Sequence, residues 1–240
     1  AASDVYKRQM CDRNMNGEGI NPHINLDELS LEDCKNIFSP RFIKQLNTMY
    51  MCGNLGDPII AKDTLEIFRY FRKHNPKMWL SMNTNGGARD ENWWMGLADV
   101  FAGRGAVIFS IDGLRSTNHL YRQGVVWDNV ERSLKAFIKA GGRARWDYII
   151  FGHNEHQVEE AEQLAKEWGV ERFQKKKSGR FFTATNTSKD KHQAQRREFS
   201  QNECSRKKKT NDKGYILTRD NEGSYTVSYT QLTLPTKRIV

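Results

Sequence analysis

Repeated βα units, and with them an α/β fold around a parallel sheet, are what this 240-residue sequence predicts. From residue 46 to about 176, short apolar runs alternate with longer amphipathic segments, the pattern of parallel strands linked by crossover helices. The apolar runs end in polar, glycine-bearing turns, GNLGDP, NTNGG, SIDG and FGHNE. In a barrel or a doubly wound sheet, the two architectures such units build, ligands sit at these carboxyl ends.

The elements follow in order. LNTMYMC (46–52) is a strand that runs into GNLGDP, and DTLEIFRYFRKH (63–74) is a helix with Asp63 at its N-cap, stopped before Pro76. MWLSMN (78–83) and AVIFSID (106–112) are strands on either side of the helix ENWWMGLADVFAG (91–103). A loop then leads to the helix WDNVERSLKAFIKAGG, whose glycine pair suits a left-handed C-cap. ARWDYIIF (144–151) and VERFQKK (170–176) flank a last helix, EHQVEEAEQLAKEWG. Ahead of this array lie two short helical pieces, one capped by Ser30 and one by Ser39 with Pro40 in its first position. Beyond about 185 the periodicity fades, apart from a hairpin expected in GYILTRDNEGSYTV around Asn-Glu-Gly; VSYTQLTLPTKRIV offers no identifiable partner strand.

Composition narrows the class. A hydrophobic content of 38% supports a core, and no apolar run reaches the eighteen or so residues of a membrane span. With no secretory signal, a cytoplasmic location and no membrane partner are expected. Four scattered cysteines, Cys11, Cys34, Cys52 and Cys204, do not form a disulfide framework. The formal charge of +9 gathers late, in Lys175 to Lys177, Arg196-Arg197 and Arg206 to Lys209. Such runs are a solvated basic tail in the plainer reading and a nucleic-acid surface in the sharper one.

Each strand-end motif is ordinary turn chemistry when taken alone, because Gly, Asp, Asn and Pro all stabilise turns. Their joint order is more specific: it resembles the radical S-adenosylmethionine superfamily, in the branch that carries a cysteine-rich C-terminal extension. That resemblance implies a partial (βα)6 barrel holding a 4Fe-4S cluster and S-adenosyl-L-methionine. Cys11, in MCDRNMNG, looks like the third cysteine of the family's cluster loop. GNLGDP is similar to the family's Gly-Gly-Glu-Pro motif, which implies cofactor-binding roles for Gly53, Asn54, Gly56 and Asp57, the last facing the methionine ammonium with a shorter side chain than Glu. NTNG places Asn83, Thr84 and Asn85 near the cofactor's sugar and amino acid, and SIDG places Ser110 and Asp112 at the next strand end. NHLYRQG, with His119 three residues before Arg122, implies Arg122 for the cofactor carboxylate, and FGHNE implies Gly152 and Asn154 beside ribose and adenine. A catalytic side chain is not implied. The reaction implied is reductive cleavage of S-adenosylmethionine to a 5′-deoxyadenosyl radical, which takes hydrogen from a peptide, protein, nucleoside or RNA substrate with the help of an electron donor.

The other two cluster cysteines would fall at positions 4 and 8, which hold Asp4 and Arg8. Neither replaces a thiolate. AASDVYKRQ and SYTQLTLPTKRIV resemble read-through of sequencing adapters. The expectation is therefore a fragment that is itself inactive and lacks its first strand: residues 1–9 a non-native leader, 10–185 the core, 186–227 the start of an extension and 228–240 a non-native tail. A degenerate, cluster-less barrel is the alternative for the front. For function the alternatives are a nucleic-acid-binding module and a metal-free barrel enzyme using Asp57, Asp112, His153 and Glu155. Bland roles are expected for Cys34 and Cys52 as packing thiols, for Cys204 as an unligated tail cysteine, and for Trp93, Trp94 and Trp168 as helix-packing groups.

Overall fold

The computed structural model describes residues 22–23, 27–53, 56–177, 216–219 and 225–229. Helices α1 (Leu31–Ile37) and α2 (Pro40–Ile43) precede strand β1 (Thr48–Met51). The repeating array continues through α3 (Thr64–His74), β2 (Trp79–Thr84), α4 (Glu91–Phe101), β3 (Gly105–Ser110), a short α5 (Asn118–Tyr121) and α6 (Trp127–Lys139). It closes with β4 (Ala144–Ile150), a 3-10 turn at Glu155–Gln157, α7 (Val158–Glu167) and β5 (Arg172–Lys177). The later strands β6 (Ile216–Arg219) and β7 (Tyr225–Tyr229) form the expected antiparallel hairpin.

Strands β1 to β5 are parallel and lie side by side in chain order. A doubly wound sheet reverses its order at a switch point. The absence of a reversal across these five strands selects the barrel-type winding, left open. Strand β7, which runs across the boundary drawn between residues 227 and 228, pairs in parallel with the outer edge of β1. That segment has no partner identifiable from its sequence; its place on the edge of β1 comes from a pairing more than 170 residues distant, which local patterning does not encode.

Local signals explain the helix ends. Ser30 and Asp33 form a capping box, with the Asp33 amide donating to Ser30 Oγ at 3.1 Å and the Ser30 amide donating to Asp33 Oδ2 at 3.0 Å. Asp63 stands at the N-cap of α3, yet its side chain does not cap that helix; Oδ2 instead accepts from the Leu31 amide at 2.9 Å and ties α1 to α3. Gly141 closes α6 at φ +85°, as the glycine pair anticipated.

Strand periodicity of two gives the sheet two unlike faces. On the helix side Met49, Leu80, Met82, Val107, Phe109, Ala144, Trp146 and Tyr148 are all buried. Trp94 on α4 packs there against Phe109 and Phe137, and Trp168 stacks on Trp146. Cys34 is buried as expected, and burial, reinforced by Asp33 and Asp63, pushes its thiol up to about 12. The concave face carries Tyr50, Ser81, Asn83, Ser110, Arg145, Asp147, Gln174 and Lys176. Among the described residues, no helix is long and apolar enough to cross a membrane.

Candidate cofactor pocket at the strand ends

The loop after β1 turns on Gly53, whose φ of +67° favours glycine. A Cβ there would meet Gly56 O and Pro58 Cδ at 3.0 Å, so Gly53, Gly56 and Pro58 pack as a unit. The turn delivers Asp57 inward. Its Oδ2 accepts from the Asn85 amide at 2.7 Å and its Oδ1 from the Ile59 amide at 3.2 Å, and the Thr84 side chain adds a further hydrogen bond. Burial raises the Asp57 carboxyl above the usual aspartate range; these hydrogen bonds and the Arg122 charge oppose the rise without cancelling it.

The loop after β2 organises itself around the same carboxylate. Thr84 Oγ1 accepts from the Gly86 amide at 3.0 Å, and Asn85 Oδ1 accepts from the Gly87 amide at 2.8 Å. Asn83 points to the concave face and hydrogen-bonds the Tyr50 hydroxyl. Burial, with Cys52 and Asp147 nearby, pushes that phenol up to about 12, so it stays protonated and can donate. Cys52 is a half-buried thiol beside this group and is less deeply packed than its expected role required.

After β3 the chain buries Asp112 completely. Its Oδ2 accepts from Arg122 Nε at 2.7 Å and Nη2 at 2.6 Å, and its Oδ1 accepts from the Ile149 amide at 2.6 Å. The Asp112 amide donates to Asn118 Oδ1 at 3.0 Å, and its carbonyl accepts from Asn154 Nδ2 at 2.9 Å. Burial pushes the Asp112 carboxyl upward against the pull of Arg122. Burial also works against the Arg122 charge, but Asp112, and beyond it Asp57, keep its pKa above the ordinary arginine value. Arg122 is thus a fixed cation joining the ends of β1 and β3, with a quarter of its side chain exposed.

Asn154 is fully buried, and its amide group is spent inside the protein. Nδ2 donates to Asp112 O and Ile149 O, each at 2.9 Å, while Oδ1 accepts from the Phe151 amide at 2.7 Å. Its place in the fold is to hold the ends of β3 and β4 together. Gly152 is exposed in the same turn, and His153 stacks on Phe151, which packs in turn on Tyr121. Ser110 ends β3 on the concave face, paired in register with Asp147. Asn54 and Cys11 lie outside the described residues, as do Asp4, Arg8, Cys204 and the basic runs after residue 195.

The structure therefore gathers Gly53, Asp57, Thr84, Asn85, Asp112 and Arg122 into one network at the carboxyl ends of β1 to β3, with Asn154 beneath it. Asn118 and Gln157 were not anticipated. Gln157 Oε1 accepts from the Leu114 amide at 3.2 Å and hydrogen-bonds Thr117, fixing the loop that carries Arg122. A signal existed for Asn118, which follows Asp112-Gly113 closely enough to fold back; none existed for Gln157, forty residues away from Thr117. Two lysines of the apparent basic run are paired instead, Lys175 with Glu162 and Lys176 with Asp147.

Among the described residues no group of three or more His, Cys, Asp or Glu side chains could hold a metal ion, so they supply no donor set for an iron-sulfur cluster. A small zwitterion suits them better: the network presents a carboxylate, a guanidinium and a glycine-lined turn.

No protein-family model matches the chain, and no curated protein sequence matches it. Solved structures do. SuiB of Streptococcus suis bound to S-adenosylmethionine is 16% identical over 70% of this chain and 36% of that one, with a TM-score of 0.51. Native anSMEcpe with bound AdoMet is 18% identical over 71% of this chain and 47% of that one, with a TM-score of 0.53. Native anSMEcpe with AdoMet and the Kp18Cys peptide gives 18%, 70%, 46% and 0.53. This chain spans less than half the length of each. Both proteins are radical S-adenosylmethionine enzymes, and over the matched residues this chain shares their fold.

Proposed function

We propose that the complete protein is a radical S-adenosylmethionine enzyme and that the strand-end network is its cofactor pocket. The observation that carries this reading is the Asp57, Arg122 and Asp112 constellation: two carboxylates and one guanidinium held at the carboxyl ends of the parallel strands β1 and β3, on either side of β2. Fold likeness to enzymes solved with the same cofactor supports it. When bound, the cofactor supplies a carbon-centred radical that takes hydrogen from a substrate.

The residues would divide the binding task. Arg122 has five N–H groups, of which Asp112 uses one on Nε and one on Nη2, so three remain for a ligand carboxylate. Asp112 touches no ligand in this arrangement and acts as a positioning residue. A carboxylate offers about four acceptor sites, and Asp57 spends three on Ile59, Asn85 and Thr84. One lone pair is left for an ammonium. Gly53 lets the backbone approach the ligand, while Asn83, Asn85 and Ser110 add polar contacts toward its sugar. Asn154 and Gly152 would shape the adenine side, Asn154 through the loop it holds. The 4Fe-4S cluster would depend on Cys11 and on two further cysteines that this sequence does not place at positions 4 and 8.

The test is anaerobic reconstitution of an extended gene in which residues 1–9 are replaced by an upstream frame that carries those two cysteines. The expected result is 5′-deoxyadenosine release under reduction, with Arg122→Ala raising the S-adenosylmethionine KM about tenfold or more, the loss of one charge-assisted contact. No cleavage by the extended protein would overturn the reading. A peptide substrate is the favoured class, because anSMEcpe is solved with peptide in place.

A further inference from the structure

A second charged site lies at the other end of the barrel. Trp79 begins β2 on the concave face, and two arginines converge on its indole: Arg143 Cζ lies 5.0 Å and Arg145 Cζ 5.9 Å from the ring centroid. Arg172 is the register partner of Arg145 and shares its face. From Arg145 to Ile149, whose amide binds Asp112, β4 climbs four residues, about 13 Å at the usual rise per residue. The arginine cluster is therefore separate from the strand-end network.

Its charge is unbalanced. Glu171 is the carboxylate that serves it, and Arg143 takes both oxygens, Nε to Oε2 at 2.9 Å and Nη2 to Oε1 at 2.5 Å. Arg145 reaches the same carboxylate only at 3.8 Å, too far for a hydrogen bond. Arg172 Nη2 donates to the neutral Gln174 at 2.6 Å. Among the described residues three guanidinium groups thus share one carboxylate, and Arg145 Nε is buried without a hydrogen-bond partner. A buried donor in that state costs free energy comparable to a lost hydrogen bond, more when the group is charged. The rest of the Arg145 side chain is 31% exposed, so the group remains within reach of a ligand. Indole and guanidinium planes favour a flat or tetrahedral oxyanion that can take two parallel N–H donors.

We propose that Trp79, Arg143, Arg145 and Arg172 form an oxyanion-binding site at the amino end of the barrel, which takes a carboxylate or phosphate group of a ligand. Binding draws Arg145 into a bidentate contact and satisfies its orphaned Nε. Arg143 stays on Glu171 and supplies the platform and the field.

The site is tested by NMR of arginine side chains in the 240-residue chain, with S-adenosylmethionine absent so that the result does not depend on the strand-end pocket. The Arg145 Nε–H signal is assigned by its loss in Arg145→Lys; should that variant fail to fold, Trp79→Phe identifies the same signal through the altered ring current. Inorganic phosphate and glutarate are titrated separately against sodium chloride of equal ionic strength. A saturable shift with phosphate or glutarate, weakened at least tenfold in Arg172→Gln, is expected, and the arm that saturates first identifies the anion's source. A shift that tracks ionic strength identically in all three salts, or none at all, overturns the proposal. Separate titration with S-adenosylmethionine distinguishes this failure from failure of the pocket.

Discussion

The two faces of the β1 to β5 sheet are made by alternate residues of the same strands, yet they follow different rules. On the helix side Leu80, Met82, Val107, Phe109 and Trp146 are sealed from water, and burying them beneath the helices is what makes the sheet form. On the concave side Tyr50, Asn83, Ser110, Asp147 and Lys176 remain half-buried, with Tyr50 hydrogen-bonded to Asn83 and Lys176 paired with Asp147. One face specifies the architecture; the other presents chemistry in a shape that the first holds fixed. Substitutions on the two faces should therefore separate stability from binding.

The sharpest division should come from Trp94 and Ser110. Trp94 is fully buried at the meeting point of α4, Phe109 and Phe137, and Trp94→Ala should cost about 3–5 kcal/mol in urea unfolding. Ser110→Ala on the concave face should leave the urea midpoint within about 0.5 kcal/mol of the parent. Equal losses would dissolve the distinction between the faces.

Next in size is the network that crosses from one region to the other. Asp112→Asn leaves Arg122 without its carboxylate in a mostly buried position. A loss of roughly 3 kcal/mol is expected, the lower end for a broken buried pair because Arg122 retains some exposure. S-adenosylmethionine affinity, read by calorimetry, should fall with it. A variant that is less stable but binds unchanged would confine Asp112 to a structural role.

Asp57 allows the same question to be asked through pH. Its folded pKa lies above the value of about 3.9 for a free aspartate, so folding takes up a proton in the interval between the two. Where the folded state binds more protons, stability falls as pH rises. Relative to Asp57→Asn, the parent chain should therefore gain stability as pH is lowered from neutral through the raised value toward 4, and level off below the free value. Parallel pH profiles for the two proteins would show that the Asp57 carboxyl is not perturbed by burial.

The two faces were also unequally legible. Helix periodicity, the caps at Ser30 and Ser39, and the apolar runs located all five parallel strands, because burial of the helix-side face leaves a regular mark on composition. The turns GNLGDP, NTNGG and SIDG pointed to the strand ends, and Asp57, Asp112 and Arg122 meet there. The partners were not legible. That Asn154 serves Asp112 O, or that Gln157 reaches Leu114, depends on contacts across 42 and 43 residues, which no local spacing records. Run-counting also misjudged Lys175 and Lys176, because adjacent strand residues point to opposite faces and find different partners.

That last pair offers the smallest and finest test. Lys175 and Lys176 are neighbours in β5 with the same side chain and comparable side-chain exposure, 46% and 42%. Lys175 leaves toward α7 and meets Glu162 at 2.8 Å, whereas Lys176 turns to the concave face and meets Asp147. Glu162 can rehydrate when its lysine is removed, so Lys175→Gln should be indistinguishable from the parent in urea unfolding. Asp147 is only 13% exposed and cannot rehydrate as fully, so Lys176→Gln should cost about 1 kcal/mol. The order of the two effects matters more than their size: with identical residues one position apart, only the face differs. A larger loss at Lys175 would mean that the concave face is as freely solvated as the outer surface, and the half-buried polar belt would lose its claim to be a binding surface.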